Sequence, residues 1–345
     1  MKNILIIGDL HLSEHLGHYD AIRDERVSER KEVLDFIIEK SESAKHVIFL
    51  GDQFNQKNPS AKIIQEFVEF IERFSDKQVY IISGNHETQA SGSSALSFLK
   101  EIKNKDNWHI FTDSIESTII EGKKFIFAPF MSRVFLECAD DKTASKKIMK
   151  KILAEKGDIL CVHQSISGTK SNGGLVDLFP EPVLDGKKIN STIKKTFAGH
   201  IHAPSENGNI IISGSIFCNE INEKERYVYL FDAETMEAEK VKIPERGIYK
   251  VENQEELKNI PKSSIVKFVL SEKLSPQELD ALKEELSKFD GSLLVDDSKT
   301  ERKKDNISDR NLLELPTTEL LGEYAKQKKV DIEKLMKGFE LINNT

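Results

Sequence analysis

Apolar residues fall along this chain in two alternating patterns. Short unbroken runs at Ile4–Ile7, Val47–Leu50, Val79–Ile82, Phe125–Ala128 and Ile159–Val162 are rich in β-branched and aromatic residues. Runs of this length, closed by Gly, Pro or a polar residue, predict strands buried on both faces. Between several of them the apolar period lengthens to that of a helix. Residues 28–40 carry Val33, Leu34, Ile37 and Ile38 on one face. A second helix is expected to start at Asn58-Pro59 and run to about Phe74, with Ile63, Ile64, Phe67, Val68 and Ile71 facing inward. A third covers 142–156, where Lys146, Lys147, Lys150 and Lys151 lie opposite Ile148, Ile152 and Leu153. That basic face suits either solvent or a phosphate backbone. Thr196–Ala198, Ile210–Ser215 and Tyr227–Asp232 complete the expected strands, and Ser165–Pro182 is a long Gly-, Ser- and Pro-rich loop. Strand followed by helix, repeated, is the signature of an α/β fold whose functional groups gather beyond the carboxyl ends of the strands.

After Pro244 the pattern changes. Residues 248–296 predict a small second domain, with a strand at Ile265–Leu270, a helix from Ser275-Pro276 to Phe289 and a strand at Ser292–Val295. Residues 298–310 are densely charged and predict a linker. Beyond it, 317–327 and 331–342 predict two short helices. Leu320, Leu321, Tyr324, Leu335, Phe339, Leu341 and Ile342 give them a large apolar load, which fits either folding back or docking on a partner.

Polar residues at the strand ends carry the chemistry. Asp9-Leu10-His11, Gly51-Asp52, Gly84-Asn85-His86-Glu87, His163-Gln164 and Gly199-His200-Ile201-His202 each close an apolar run. Alone, Asp9 and His11 would be a turn aspartate and a surface histidine. Five repeats of one design change that reading. Strand alternation would place Asp9 and His11 on the same side of the chain. Asp9, His11, Asp52, Asn85, His163, His200 and His202 offer carboxylate, amide oxygen and imidazole, the donor mix of hard to borderline divalent ions. No cysteine stands at these positions, which excludes a zinc knot of thiolates there. Asp52, midway in the set, is the natural carboxylate to be shared by two ions. Such a pair acidifies a water and clamps phosphate oxygens. His86 beside them suits a general acid or charge stabiliser at the leaving oxygen. His15, His18, His46 and His109 have no such spacing.

Length and charge add bounds. The chain has 345 residues, more than most single cores need, so two domains or a domain with an appendage are expected. A formal net charge of −8 does not favour a protein coated in basic residues, but it leaves room for a local strip that meets nucleic acid. The three scattered cysteines, Cys138, Cys161 and Cys218, are expected to be buried free thiols in a reducing compartment. The first apolar run is too short for a signal peptide and none approaches a membrane span, so a cytoplasmic protein is expected.

The ordered set Asp-x-His, Gly-Asp, Gly-Asn-His-Glu, His and Gly-His-x-His resembles the calcineurin-like metallophosphoesterases over roughly residues 1–240. Gly51-Asp52-Gln53-Phe54 followed by Asn58-Pro59-Ser60, His163-Gln164, Ser213-Gly214-Ser215 with Glu220 or Glu223 soon after, the strand ending in Asp232 and the Ile243-Pro244 pair are similar to the SbcD-type DNA repair exonucleases. The resemblance implies a four-layer α/β sandwich flanked by helices, with a small α+β capping domain and C-terminal helices. It divides the chain into a nuclease domain at 1–245, a capping domain at 246–297, a linker at 298–310 and partner-binding helices at 311–345. It implies two Mn²⁺ per chain, with Mg²⁺ or Fe²⁺ as alternatives. Asp9, His11, Asp52 and His202 would hold one ion; Asp52, Asn85, His163 and His200 would hold the other, with His86 as the catalytic histidine. It also implies 3′→5′ exonuclease and single-strand endonuclease activity on DNA, a homodimer, an SbcC-type ATPase partner and no membrane. Asn55 departs from the His or Asp common after Gly-Asp-x-Phe, and Glu87 replaces the commoner Asp. A small-molecule phosphodiesterase or phosphatase on the same scaffold is the alternative, and residues 248–345 speak against it. A scaffold that has lost its metals is the third reading, disfavoured because all seven ligand types are present.

Overall fold

The computed structural model describes residues 2–14, 23–102, 105–171, 174–176, 179–217, 225–244, 246–270 and 274–296. The chain separates into two units, Met1–Asp296 and Asp297–Thr345. The expected linker and terminal helices, with His15, His18 and Cys218, lie outside the described residues.

Two six-stranded sheets form the larger part. In the first, Ile4–Ile7, His46–Phe49, Gln78–Ile82 and Trp108–Phe111 run parallel in that order, and Tyr227–Asp232 and Glu237–Lys242 add antiparallel strands beside Ile4–Ile7. In the second, Ile210–Ile212, Lys195–Ala198, Ile159–Val162 and Lys123–Ala128 run parallel, with Ser205–Asn207 and Glu116–Ile120 as antiparallel edges.

Burial explains the unbroken apolar runs. Ile4 and Ile6 join Ile48, Tyr80, Phe125, Phe127, Ile159 and Phe197 in a core between the sheets. Their neighbours Leu5 and Ile7 face the other way, against Val33, Ile37, Ile63 and Phe67 of the helices Arg23–Lys40 and Ala61–Glu72. On the far side, Ile126, Leu160 and Val162 pack on Ile148 and Ile152 of the helix Asp141–Ala154. The layers are thus helix, sheet, sheet, helix, as expected.

Several local expectations are corrected. The second helix starts one step later than Asn58-Pro59: Ser60 caps it by accepting from Ile63 N, so Pro59 precedes the cap. The first helix begins at Arg23, ahead of the expected 28, and its polar opening turns carry no apolar period to mark that start. Strands at Trp108–Phe111, Glu116–Ile120 and Glu237–Lys242 were not expected. The last two are edge strands with exposed positions, so they lack an apolar run. The expected strand Ile210–Ser215 stops at Ile212, where Ser213-Gly214-Ser215 turns away with Gly214 at φ +75°. The basic face of the third helix is interrupted, since Lys147 Nζ donates to the Leu136 carbonyl at 2.9 Å. Cys161 is buried but Cys138 only half so.

Residues 248–296 form a separate sheet of three parallel strands, Ile248–Val251, Ile265–Leu270 and Gly291–Asp296, joined by the helices Gln254–Leu257 and Pro276–Leu286. The small domain expected as α+β is therefore a βαβαβ unit with its own core around Val266, Phe268 and Leu282. Among the described residues, no helix is long and apolar enough to cross a membrane.

Candidate metal centre

Register brings the polar clusters to one place. Ile7 pairs with Phe49 and Phe49 with Ile81, so Asp9, Asp52 and Asn85 leave the first sheet at the same level. Ala198 pairs with Val162, which aligns His200 with His163 in the second. Asp9 bridges to Ser215, tying one sheet's exit to the other's.

The backbone leaves ordinary strand geometry to aim these side chains. His11, Asp52 and His200 have φ of +47°, +49° and +77°. Non-glycine residues are uncommon there, and such strain gathers at functional sites. Asp9 and His11 therefore face one point through a left-handed turn at His11, which corrects the simple alternation expected. Two glycines make room. A Cβ on Gly84 would overlap Asp52 Oδ1 and backbone N, and one on Gly51, at φ +100°, would overlap the His163 ring.

Two groups of donors result, with Asp52 between them. In the first, His11 Nε2 and His202 Nε2 face each other at 2.9 Å, 3.9 Å from Asp9 Oδ2 and 3.7 Å from Asp52 Oδ2 as measured from His11. In the second, His163 Nε2 lies 3.2 Å from Asp52 Oδ2 and 3.1 Å from Asn85 Oδ1, which is 2.8 Å from His200 Nδ1. The outer atoms of both histidines fix their tautomers. His163 Nδ1 donates to the Leu50 carbonyl at 2.7 Å, since a carbonyl only accepts. His200 Nε2 donates to Glu181 Oε1 at 2.6 Å. With both imidazoles neutral, the inner atoms, His163 Nε2, His200 Nδ1, Asn85 Oδ1 and Asp52 Oδ2, would all be lone-pair acceptors turned on one another. Buried acceptors this close repel unless a positive charge lies among them.

The electrostatics carry the same message. Burial pushes the Asp9 carboxyl up to about 6, with the Asp52 charge adding and His163 opposing. Burial would lower His163, but Asp52 and Asp9 hold it up to about 10, so a proton stands where a cation's charge would. Burial would raise Asp52, yet His163, His11 and His86 keep it below the usual carboxylate range. Burial drops His11 to about 3. Asp9 Oδ1 is buried with no hydrogen-bond partner among the described residues. Three overlapping groups, Asp9-His11-His202, His11-Asp52-His86 and Asp52-His163-His200, each bring their donor atoms within 4.8 Å of one another. These residues fit divalent cations.

His86 stands at the edge of the cluster. Its backbone N donates to Asp52 Oδ1 at 2.8 Å, its Nδ1 to the Asn55 carbonyl at 3.2 Å, and its ring meets His11 edge-on at 4.7 Å. An open cavity of about 490 Å³, lined by Asn55, Gln56, Lys57, Asn58, Asn85 and His86, lies beside it. Glu87 is fully buried, accepts from Gly84 N and Phe54 N, and is pushed up to about 8 by burial and then by Asp52.

The sequence from residue 2 to 204 matches the family model of the calcineurin-like phosphoesterases. The chain belongs to this family. It is a metal-dependent phosphoester hydrolase. No curated protein matches the sequence. Among solved structures, an archaeal phosphodiesterase is similar at 16% identity and a TM-score of 0.34, with 69% of this chain and 98% of that one covered. A hypothetical protein of Pyrococcus horikoshii OT3 is similar at 10% identity and a TM-score of 0.35, covering 75% and 94%. A protein of unknown function from Aquifex aeolicus follows at 12% and 0.28, covering 55% and 94%. At these values the likenesses say nothing of substrate.

Sequence reasoning missed Glu181. It sits in a Gly-, Ser- and Pro-rich loop without periodicity, and only the preceding His163-Gln164 hinted that the loop bears on the site. Of the histidines read as ordinary, His46 pairs with Glu121 at 3.1 Å, and His109 bonds Gln78 and stacks on Tyr80 at 4.6 Å.

Proposed function

We propose that this hydrolase is a manganese-dependent DNA nuclease of the SbcD type, acting as a 3′→5′ exonuclease on duplexes and an endonuclease on single strands. Asp9, His11, Asp52 and His202 would hold one ion, and Asp52, Asn85, His163 and His200 the other. The observation that carries the reading is the cluster of mutually facing acceptors opening onto a cavity lined with carboxamides and Lys57 rather than carboxylates. A phosphate chain is favoured there by charge, and carboxamides offer paired donors and acceptors to nucleotide edges. Bound ions would supply an activated water and neutralise charge building on the phosphorus. The chain's own part is orientation and proton delivery. Asn55 fixes the His86 Nδ1–H, so Nε2 is the nitrogen free to protonate the leaving oxygen. The apolar residues at 311–345 and the charged segment before them fit a tail that docks on an SbcC-type ATPase, with a homodimer as the working unit.

The test is cleavage of end-labelled duplex DNA with and without Mn²⁺, beside turnover of a chromogenic phosphodiester. Mn²⁺-dependent shortening from 3′ ends is expected. Fast hydrolysis of the small ester with intact DNA would overturn the reading in favour of a small-molecule phosphodiesterase. Truncation before Thr317 should keep cleavage and abolish co-purification with the ATPase; unchanged co-purification would remove the tail as the dock.

A further inference from the structure

Within the proposed two-ion reading, one carboxylate outside the seven donors is built into the site. Glu181 Oε1 accepts from His200 Nε2 at 2.6 Å and also from the Ser165 hydroxyl. The pair is sheltered, with the His200 side chain 10% exposed and that of Glu181 20%. Burial would raise the Glu181 carboxyl, but the hydrogen bond and charge of His200 hold it below its ordinary value.

The position of Glu181 does not depend on His200. The loop that carries it is closed at its neck by Leu184 N on the Ser165 carbonyl and Ser167 N on the Leu184 carbonyl, both 2.8 Å. Gln164, next to His163, reaches across and donates to the Pro182 carbonyl at 2.8 Å, while its own Oε1 accepts from Met131 N at 3.3 Å. Pro182 restricts the backbone of Glu181 to extended conformations. Glu181 is thus anchored from both sides before its side chain meets the imidazole.

We infer that Glu181 is a positioning residue for the ion held by His163, His200, Asn85 and Asp52, acting through the outer nitrogen of His200. By accepting the hydrogen bond from Nε2–H it leaves Nδ1 as the donor atom and orients the ring toward Asn85 Oδ1, 2.8 Å away. Its negative charge also strengthens the imidazole as a ligand. On the side of the other ion, His11 Nδ1 is buried with no hydrogen-bond partner among the described residues, so that imidazole takes no such support. Because Glu181 meets the donor set at His200, its loss should weaken that ion selectively. The loop Ser165–Leu184 is thereby tied to that ion, so a displacement at its neck would be felt as a change in metal affinity.

The experiment is a titration of the full-length protein with Mn²⁺, reading free Mn²⁺ by electron paramagnetic resonance, for the wild type, Glu181→Gln and Glu181→Ala. The wild type is expected to bind two Mn²⁺ per chain. In Glu181→Ala one of the two should weaken about 10- to 100-fold, with the other unchanged. Glu181→Gln keeps an acceptor oxygen without the charge and should fall between them. On a chromogenic phosphodiester, kcat of both variants should recover at saturating Mn²⁺ with KM unchanged. Equal affinities in all three proteins, or a uniform weakening of both ions, would overturn the inference. Should Glu181→Ala fail to fold, the near-isosteric Gln variant decides alone. A wild type that binds no Mn²⁺ would instead sink the two-ion reading.

Discussion

Replacing His86 by Ala separates holding ions from using them. The backbone N–H that supports Asp52 survives the change, because it is the main chain of residue 86 that donates at 2.8 Å. The imidazole itself bonds the Asn55 carbonyl at 3.2 Å. That carbonyl borders an open cavity, so water can replace the ring, and the stability cost should stay near 1 kcal/mol. The loss in rate should be far larger. A positioned general acid contributes about 10²–10⁴-fold, or about 3–5 kcal/mol of barrier. The loss should also depend on the leaving group. DNA leaves a basic alkoxide that needs the proton, whereas a p-nitrophenyl phosphodiester leaves a stable phenolate that does not. His86→Ala should therefore lose about 100-fold or more on DNA and about tenfold or less on the aryl ester, with Mn²⁺ stoichiometry unchanged. Equal losses on both substrates together with a missing ion would make His86 a ligand, as its place in the His11-Asp52-His86 group would allow, and would refute the proton-delivery argument.

Three further outcomes follow from the geometry. Gly84→Ala drives a methyl into Asp52 Oδ1 and the Asp52 backbone, neither of which can swing aside, so Mn²⁺ binding should fail and rate drop by about 10²-fold or more; normal Mn²⁺ stoichiometry would contradict the packing described. Phe127→Ala empties a fully buried site stacked on Phe111 at 4.5 Å and Tyr80 at 5.4 Å, and should cost about 3–5 kcal/mol in denaturant melts. In ion-free protein, Glu87 titrates near 8 and His163 near 10, both above their ordinary values of 4.5 and 6.5. The folded state then binds more protons than the unfolded one between pH 6.5 and 8, so the melting temperature should fall as pH rises through that window. His11, lowered to about 3, pulls the other way only below its ordinary 6.5. Saturating Mn²⁺ requires deprotonated ligands and should reverse the slope; a falling melting temperature in its presence would count against the site.

The sequence made the strand ends legible because each polar cluster closes a run too apolar to be anything but interior. Register then follows, since Ile7, Phe49 and Ile81 must lie level to bury both faces. Edge strands escaped notice for the opposite reason. Glu116–Ile120 has one side in water and reads as polar chain. The left-handed backbone at His11, Asp52 and His200 could not be read at all, because these residues have no glycine-like signature and the strain is imposed by tertiary contacts. Glu181 was hidden similarly: its role comes from a loop neck closed by Ser165, Gln164 and Leu184, and no local spacing encodes that closure.

The donors come from both halves of the sandwich: Asp9, His11, Asp52 and Asn85 from one sheet, His163, His200 and His202 from the other. Ions seated among them would act as rivets through two plates that elsewhere meet largely across greasy side chains such as Phe127 and Phe197. A slip of one plate over the other by about an ångström would pull the donors apart and cost about two orders of magnitude in turnover. Any macromolecule that grips a single plate would gain a lever on hydrolysis without ever touching the pit where the phosphoester is cut.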